Sequence, residues 1–202
     1  MKRFALIGWP VSGSGSPAMF GEVCDVPYDL VGTPSFEDAW EIFLRDYDAV
    51  NVTAPFKADA ARKADCPSDA VRRIGAANIC VKTSGGIAAF NSDYLAVREL
   101  ISRLPQHPSK ATVLGHGGAG MAAAVAAQDE GLEMVCLHHT ELPTEAELLI
   151  CALPRPCPGV TEIKARYVIE ANYRRPNFPE ADFGGRDWLE AQFRLGLKYF
   201  PL

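Results

Sequence analysis

The sequence predicts an α/β protein with two parts, an N-terminal α/β domain followed by a reduced Rossmann-like domain. Through the first half of the chain, short apolar runs alternate with helical segments. Residues 104–110 contain two prolines and no apolar periodicity, which is typical of a linker. Beyond them come a strand, a glycine-rich turn and an alanine-rich helix. We therefore assign residues 1–105 to the first domain and residues 106–185 to the second.

The elements of the first domain follow from apolar runs and capping signals in chain order. Phe4–Gly8 is an apolar strand that ends in glycine, and Ser16 followed by Pro17 predicts a helix with serine as its N-cap. Ser35 and Asp38 have the spacing of a capping pattern, which predicts a second helix to about Arg45. The other predicted strands are 28–31, 49–53, 78–83 and 86–90, and further helices begin at about residues 57, 68 and 93.

The elements of the second domain follow from the same signals. Strands are predicted at 111–115, 132–137, 148–152 and 167–171. An alanine-rich helix spans residues 121–130 and ends at Gly131. A last helix at 187–200 has large apolar residues at helical spacing, and we expect residues 186–202 to fold back and complete the first domain.

The composition excludes several classes of function. The chain is 48% hydrophobic with a net charge of -5, whereas nucleic-acid binders usually have a basic face. It contains no apolar run long enough to span a membrane, and its first ten residues lack the apolar core of a secretory signal. We expect a cytoplasmic protein that binds a small molecule and neither nucleic acid nor a membrane.

The cysteines and histidines do not predict a metal site. The six cysteines contain no Cys-x-x-Cys pair, and four of them lie in apolar segments. The four histidines share no ligand spacing with them. We expect reduced, packed thiols and no bound metal.

Two polar segments at strand ends contain the residue types that proton transfer requires. The segment Asn51-Val52-Thr53-Ala54-Pro55-Phe56-Lys57 ends in a lysine, and Asn91-Ser92-Asp93 ends in an aspartate. Together they suit a general acid and the group that orients it. Taken alone, Lys57 is more simply a solvated lysine and Asp93 a plain helix N-cap. The occurrence of both segments in this order favours a site.

Two other segments allow a structural or a binding interpretation. Residues 12–17 are either a flexible turn before a helix or a group of hydroxyls and amides that holds a carboxylate. Asn78, which follows Ile74-Gly75-Ala76-Ala77, either caps a strand or binds a ligand.

The turn Gly115-His116-Gly117-Gly118-Ala119 predicts a dinucleotide site. It follows a strand and opens a helix, where glycines let the backbone approach a pyrophosphate. The next strand ends in Leu137-His138-His139-Thr140, which has neither the acid typical of NAD sites nor the arginine of NADP sites. Only eight residues, 140–147, precede the following strand, so this crossover is predicted to hold a single helical turn.

The order of these motifs resembles the shikimate dehydrogenase family over nearly the whole chain. The pattern Asn-Val-Thr-x-Pro-x-Lys is matched in full at residues 51–57, and Asn-Thr-Asp is matched by Asn91-Ser92-Asp93. The remaining matches are Gly8-Trp9-Pro10, Ser14-Gly15-Ser16-Pro17, residues 74–78, the glycine turn, Tyr173, and Gly185 with Leu189 and Gln192 in the closing motif.

This resemblance implies a reversible, NADP-dependent reduction of 3-dehydroshikimate to shikimate, with NAD as a possible cofactor. It implies Lys57 and Asp93 as catalytic residues. It implies a substrate site made of Ser14, Ser16, Thr53, Asn78, Tyr173 and Gln192. It implies a cofactor turn made of Gly115, Gly117, Gly118 and Ala119.

The departures from the family pattern lie mainly on the cofactor side. His138 and His139 replace the Asn-Arg of the family, and Cys151-Ala152-Leu153-Pro154 replaces Asn-Ala-Thr-Pro. On the substrate side, Gly13 replaces a histidine. Two alternatives therefore stay open: a protein that binds shikimate but holds the cofactor poorly, and an NAD-dependent quinate/shikimate dehydrogenase.

Overall fold

A computed structural model describes residues 2–202, which form two compact units. The first unit contains the chain up to Asn91 together with Gly196–Leu202, and the second contains Ser92–Leu195. The helix that begins at Ser92 and the last α-helix therefore belong almost entirely to the second unit. The functional boundaries proposed from the sequence remain a prediction.

The first unit is built on a six-stranded mixed sheet in the order β2-β1-β3-β5-β6-β4. Its strands are β1 (Phe4–Gly8), β2 (Tyr28–Gly32), β3 (Ala49–Val52), β4 (Cys66–Pro67), β5 (Ile79–Thr83) and β6 (Gly86–Phe90). The strands β2 and β3 lie parallel to β1, and β5 runs antiparallel to β3 and forms the predicted hairpin with β6. The two-residue β4 was not predicted. It is fixed beside β6 by Asp65, whose carboxylate accepts a 2.8 Å bond from the Ile87 amide.

The helices of the first unit are α1 (Ser16–Val23), α2 (Phe36–Asp46), α3 (Lys57–Lys63) and α4 (Asp69–Ile74). The Ser35 hydroxyl accepts a 3.2 Å bond from the Asp38 amide, which confirms the predicted cap of α2. The predicted cap of α1 is wrong. Gly15 is the N-cap and Ser16 is the first helical residue, and the Ser16 hydroxyl accepts a hydrogen bond from Ser14. The core packs α2 against the sheet through Trp40 and Phe43.

The second unit is built on a four-stranded parallel sheet in the order β10-β9-β7-β8. Its elements are α5 (Ser92–Ser102), β7 (Lys110–Leu114), α6 (Gly118–Asp129), β8 (Glu133–Leu137), β9 (Glu145–Cys151), β10 (Lys164–Glu170) and α7 (Gly185–Gly196). The core packs α5, α6 and α7 against the sheet through Leu100, Ala123 and Trp188. A short 3-10 turn, Leu197–Tyr199, follows α7, so the last α-helix ends earlier than predicted.

The crossover from β8 to β9 is even shorter than the sequence suggested. It consists of residues 138–144, in which the structure has turns but no helix, so the predicted helical turn is wrong. Pro143 gives the reason, because the residue before a proline is disfavoured in the helical conformation. In a full Rossmann sheet a further strand lies beyond the second one. Within residues 2–202, β8 is instead the edge of the sheet.

No helix among the described residues has the length and apolar character needed to cross a membrane.

Candidate active site

The carboxyl ends of β1 and β3 approach each other closely. A Cβ on Gly8 would lie 2.3 Å from the Cγ2 atom of the Thr53 side chain. The Thr53 amide donates to the Ile7 carbonyl at 2.9 Å, and the Trp9 amide donates to the Ala54 carbonyl at 3.1 Å. These two hydrogen bonds fix the backbone of Thr53, a predicted substrate residue.

Lys57 and Asn78 are positioned at the same end of the sheet. Lys57 is the first residue of α3, and its carbonyl accepts a 2.8 Å bond from the Ala77 amide. Gly75 ends α4 in the left-handed conformation, with φ of 71°, and this turns the chain toward Asn78. Asn78 is buried and joins two strands, since its amide donates to Phe90 and its carbonyl accepts from Val52. The structure thus brings Thr53, Lys57 and Asn78 together.

Two short sets of hydrogen bonds order the serine segment and the motif of β3. The Ser14 hydroxyl donates to Ser16 Oγ at 3.1 Å, and Ser14 Oγ accepts from the Ser16 backbone amide at 3.3 Å. Tyr28 donates to Asn51 Oδ1 at 2.8 Å, and Asn51 Nδ2 donates to the Asn78 carbonyl at 3.3 Å. The two serines are therefore held to each other, and Tyr28 is joined to Asn78 through Asn51.

Sequence reasoning missed Tyr28 as a site residue. Burial raises the pKa of Tyr28, so its phenol stays protonated and donates a hydrogen bond. The ring stacks on Phe20 with centroids 4.1 Å apart, which fixes its position. Tyr28 was visible in the sequence only as the first residue of a strand, and no motif pointed to it.

Asp93 lies in the first turn of α5 and is buried, with 3% of its surface exposed. Its Oδ1 accepts a 2.9 Å hydrogen bond from the indole nitrogen of Trp188 on α7. Gln192 follows Trp188 by one helical turn, so the two side chains project from the same face of α7. In the sequence Trp188 is one of the large apolar residues at helical spacing in the last helix, and nothing there pointed to Asp93 as its partner.

Tyr173 lies in a loop that a buried carboxylate organises. Glu170, at the end of β10, accepts hydrogen bonds from the amides of Asn172, Asn177 and Phe178 at 2.8, 2.9 and 3.3 Å. Burial raises the pKa of Glu170, and these three donors oppose the rise. A Cβ on Gly185 would lie 2.3 Å from the Tyr173 amide nitrogen, so the start of α7 packs directly on this loop.

The glycine turn between β7 and α6 has the geometry of a backbone cradle. Gly115 has φ of 115°, and a Cβ on Gly120 would lie 1.9 Å from the Gly115 carbonyl oxygen. At Gly117, the N-cap of α6, a Cβ would have no other atom within 4 Å. The turn is thus tightly packed between Gly115 and Gly120 and open at Gly117. Gly118 and Ala119 begin the helix. This arrangement fits a pyrophosphate. Gly120 was not among the predicted site residues.

Three histidines cluster at the carboxyl ends of β7 and β8. The ring centroids of His116 and His138 are 5.9 Å apart, and those of His138 and His139 are 4.1 Å apart. His138 Nδ1 lies 3.1 Å from the Thr140 hydroxyl. The side chains are exposed where a Rossmann fold recognises the ribose of its cofactor. The parallel pairing of β7 and β8 was the signal that could have revealed this cluster.

The six cysteines are all free thiols, and burial raises the pKa of Cys80 and of Cys151 to about 12. Such thiols are poor nucleophiles. Among the residues that the structure describes, no group of three or more His, Cys, Asp or Glu side chains is arranged to hold a metal ion.

The amino-acid sequence is similar to those of known shikimate dehydrogenases. Residues 6–80 match the model of the shikimate dehydrogenase substrate-binding domain. A shikimate dehydrogenase (NADP+) of Thermus thermophilus is 35% identical over 147 residues, which are 66% of this chain and 54% of the relative. A shikimate dehydrogenase (NADP+) of Haloarcula marismortui is 35% identical over 155 residues, which are 72% of this chain and 58% of the relative. The chain belongs to the shikimate dehydrogenase family.

Solved structures extend the match to nearly the whole chain. The crystal structure of the Thermus thermophilus shikimate 5-dehydrogenase in complex with NADP(H) and shikimate aligns with a TM-score of 0.82 and 28% identity, covering 98% of this chain and 93% of that one. The Aquifex aeolicus shikimate dehydrogenase, at 20% identity and a TM-score of 0.84, supports the fold alone. The chain has the fold predicted from its sequence, a substrate-type domain and a Rossmann-like one. In the sequence comparisons, by contrast, the chain spans about half the length of the curated shikimate dehydrogenases that it matches.

Proposed function

We propose that this protein is a shikimate dehydrogenase that reversibly reduces 3-dehydroshikimate to shikimate with NADPH. The observation that carries the proposal is the polar end of the first unit's sheet, where Thr53, Lys57 and Asn78 are locked in place by backbone bonds. The fold of this protein also aligns with that of a relative whose crystal structure contains both NADP(H) and shikimate. A cytoplasmic location accords with the six free thiols.

Lys57 is the proton donor in the proposed reaction. Negative charge develops on the carbonyl oxygen of 3-dehydroshikimate as a hydride reaches its carbon. The Lys57 ammonium stabilises this charge and transfers a proton to the oxygen, which completes the hydroxyl of shikimate. Asp93 orients Lys57 and binds the adjacent substrate hydroxyl. The bound cofactor supplies the hydride.

The other substrate residues hold the ring of the substrate by its polar groups. Ser14 and Ser16 bind the carboxylate, which suits two hydroxyls already joined by a hydrogen bond. Thr53, Asn78 and Gln192 bind the hydroxyls, and Tyr173 lines the pocket. Tyr28 holds Asn51, which in turn bonds the Asn78 carbonyl, so it supports Asn78.

The cofactor residues suit NADP, with NAD as the alternative cofactor. The open backbone at Gly117, with Gly115, Gly118 and Ala119, takes the pyrophosphate. His138, His139 and Thr140 stand where the ribose end is recognised. A protonated imidazole can pair with the extra phosphate of NADP, and a neutral one can bind a ribose hydroxyl of either cofactor.

A steady-state assay of shikimate oxidation with NADP+ and NAD+ in parallel tests the proposed function. We expect turnover with NADP+ that exceeds turnover with NAD+. A protein that binds shikimate, but neither turns it over nor binds NADP+ or NAD+, would instead be a shikimate-binding protein. Turnover of quinate with NAD+ in preference to shikimate with NADP+ would reassign the substrate.

A further inference from the structure

The contact between Trp188 and Asp93 joins two side chains that are almost wholly buried within the second unit. Trp188 is 3% exposed in the first turn of α7, and Asp93 is 3% exposed in the first turn of α5. The indole nitrogen donates to Asp93 Oδ1 at 2.9 Å, which is good hydrogen-bond geometry. The two residues are 95 positions apart in the sequence, so the fold itself creates this pair.

Packing alone does not explain an indole at this position. The ring belongs to the buried apolar cluster formed by α5, α6 and α7 with the sheet, which also includes Val97 and Ala191. A phenylalanine or leucine would supply similar apolar area without a polar atom. The indole N–H is a donor with no acceptor function, and when buried it needs a partner. Here that partner is the carboxylate of the residue to which we assign a catalytic role.

We propose that Trp188 is a positioning residue that holds the carboxylate of Asp93 in the orientation required for the reaction. This inference rests on the proposed function, because it assumes that Asp93 acts on shikimate and on Lys57. The indole engages Oδ1 and restricts rotation of the carboxylate about its side-chain bonds. A carboxylate held in this way meets the substrate without first being reoriented.

The same helix carries a predicted substrate residue. Gln192 lies one turn beyond Trp188, on the same face of α7. The start of α7 is in turn packed against the Tyr173 loop at Gly185. Through the indole, α7 therefore fixes the position of Asp93 relative to Gln192 and Tyr173.

A double-mutant cycle measured in kcat shows whether Trp188 acts by positioning Asp93 or only by packing in the core. Trp188→Phe keeps an aromatic ring and removes the N–H, and Asp93→Asn keeps an acceptor oxygen and removes the charge. We expect Trp188→Phe to lower kcat by roughly tenfold or more, since hydrogen bonds to charged groups are strong. In the Asp93→Asn background the same change should cost almost nothing further, because no catalytic carboxylate is left to orient.

Trp40→Phe is the matched control. Trp40 is also a buried tryptophan, 4% exposed on α2, with its ring packed against Phe36 and Phe43 in the first unit. We expect its replacement to leave kcat near the wild-type value, even though it also loses buried area. An unchanged kcat in Trp188→Phe, or a loss that multiplies fully with that of Asp93→Asn, would overturn the proposal.

The indole N–H resonance provides a readout that does not depend on turnover. The chain has three tryptophans, and comparison with Trp188→Phe or Trp40→Phe assigns their signals in 15N-labelled protein. We expect the Trp188 signal to shift in Asp93→Asn and on addition of shikimate, while the Trp40 signal stays. If Trp188→Phe does not fold, the wild type and Asp93→Asn still give this test, with Trp40→Phe and Trp9→Phe assigning the Trp188 signal by elimination.

The two readouts distinguish the inference from the proposed function. Wild-type protein that does not oxidise shikimate, but whose Trp188 signal responds to both Asp93→Asn and shikimate, would refute the reaction and retain the positioning of a shikimate-binding carboxylate. A Trp188 signal that is indifferent to Asp93→Asn or to shikimate would refute the inference, whether or not the protein is active.

Discussion

Lys57 owes its position to the backbone around it. Its carbonyl is bound by the Ala77 amide, and a Cβ on Gly8 would lie 2.3 Å from the side-chain methyl of the nearby Thr53. The sequence drew attention to these residues because they occur in a dense motif at residues 51–57, and their role in a site stays a prediction. It could not predict the polar network through Tyr28, because a tyrosine at the start of a strand points to no partner until the fold is known.

Replacement of Lys57 tests the proposed proton donor. We expect Lys57→Ala to lower kcat by about a hundred- to ten-thousandfold, the range for loss of a general acid, with thermal unfolding near that of the wild type. Steady-state kinetics with shikimate and NADP+ measure the effect. Lys63→Ala, an exposed lysine at the other end of α3, is the control and should retain activity. Equal activity in the two variants would remove Lys57 from the mechanism.

At the scale of elements, the strands and helices with strong local signals were predicted well. The cap at Ser35 and the apolar run Phe4–Gly8 are both local properties of the sequence, and both are confirmed. The errors arise where tertiary contacts decide. β4 exists only because Asp65 and β6 hold it, and Ser16 is the first residue of α1 rather than its N-cap, with its hydroxyl bonded to that of Ser14.

Two glycines of the turn before α6 test different properties. Gly117 tests cofactor binding, and Gly120 tests packing. Gly117→Ala adds a methyl group in open space, so we expect the free energy of unfolding to change little. The methyl blocks approach of the pyrophosphate, and we expect NADPH affinity to fall roughly ten- to a hundredfold. Fluorescence titration and urea unfolding measure the two effects.

Gly120→Ala is the counterpart of that variant. Its Cβ would lie 1.9 Å from the Gly115 carbonyl oxygen, so the backbone must shift, and we expect a loss of about 1–3 kcal/mol in stability. Normal NADPH affinity in Gly117→Ala would place the cofactor elsewhere.

The buried carboxylate of Glu170 makes the Tyr173 loop sensitive to pH. Burial raises the pKa of Glu170 above its ordinary value of 4.5. Between these two pKa values the folded state binds more protons than the unfolded state, so this group's contribution to stability falls as pH rises. Glu170→Gln has no such group to titrate. We therefore expect the free energy of unfolding of the wild type, minus that of Glu170→Gln, to decrease as pH rises above about 4.5.

Urea unfolding of the two proteins at a series of pH values measures this difference. Glu162→Gln, which makes the same replacement at an exposed glutamate of the second unit, is the reference against which the change for Glu170→Gln is compared. A difference for Glu170→Gln that stays constant with pH would show that its carboxyl titrates alike in the folded and unfolded chains.

At the scale of the whole molecule, a substrate-type unit with its polar end intact is joined to a Rossmann-like unit with a shortened crossover. The sequence predicted both halves because each has a recognisable order of elements. The first alternates strands with helices, and the second begins with a strand, a glycine turn and a helix. The sequence placed the last helix with the first domain for function, whereas most of that helix clusters with the second unit. Such clustering depends on the contacts of α7 with α5 and with the Tyr173 loop, which apolar periodicity alone does not specify.

The central claim is that this chain, with its shortened cofactor half, still transfers a hydride to 3-dehydroshikimate. The most direct measurement is to incubate the purified protein with 3-dehydroshikimate and NADPH dideuterated at the nicotinamide C4, and to analyse the product by mass spectrometry. We predict shikimate that carries one deuterium on the carbon bearing the new hydroxyl. Recovery of unreduced 3-dehydroshikimate, under conditions in which a known shikimate dehydrogenase converts it, would contradict the account.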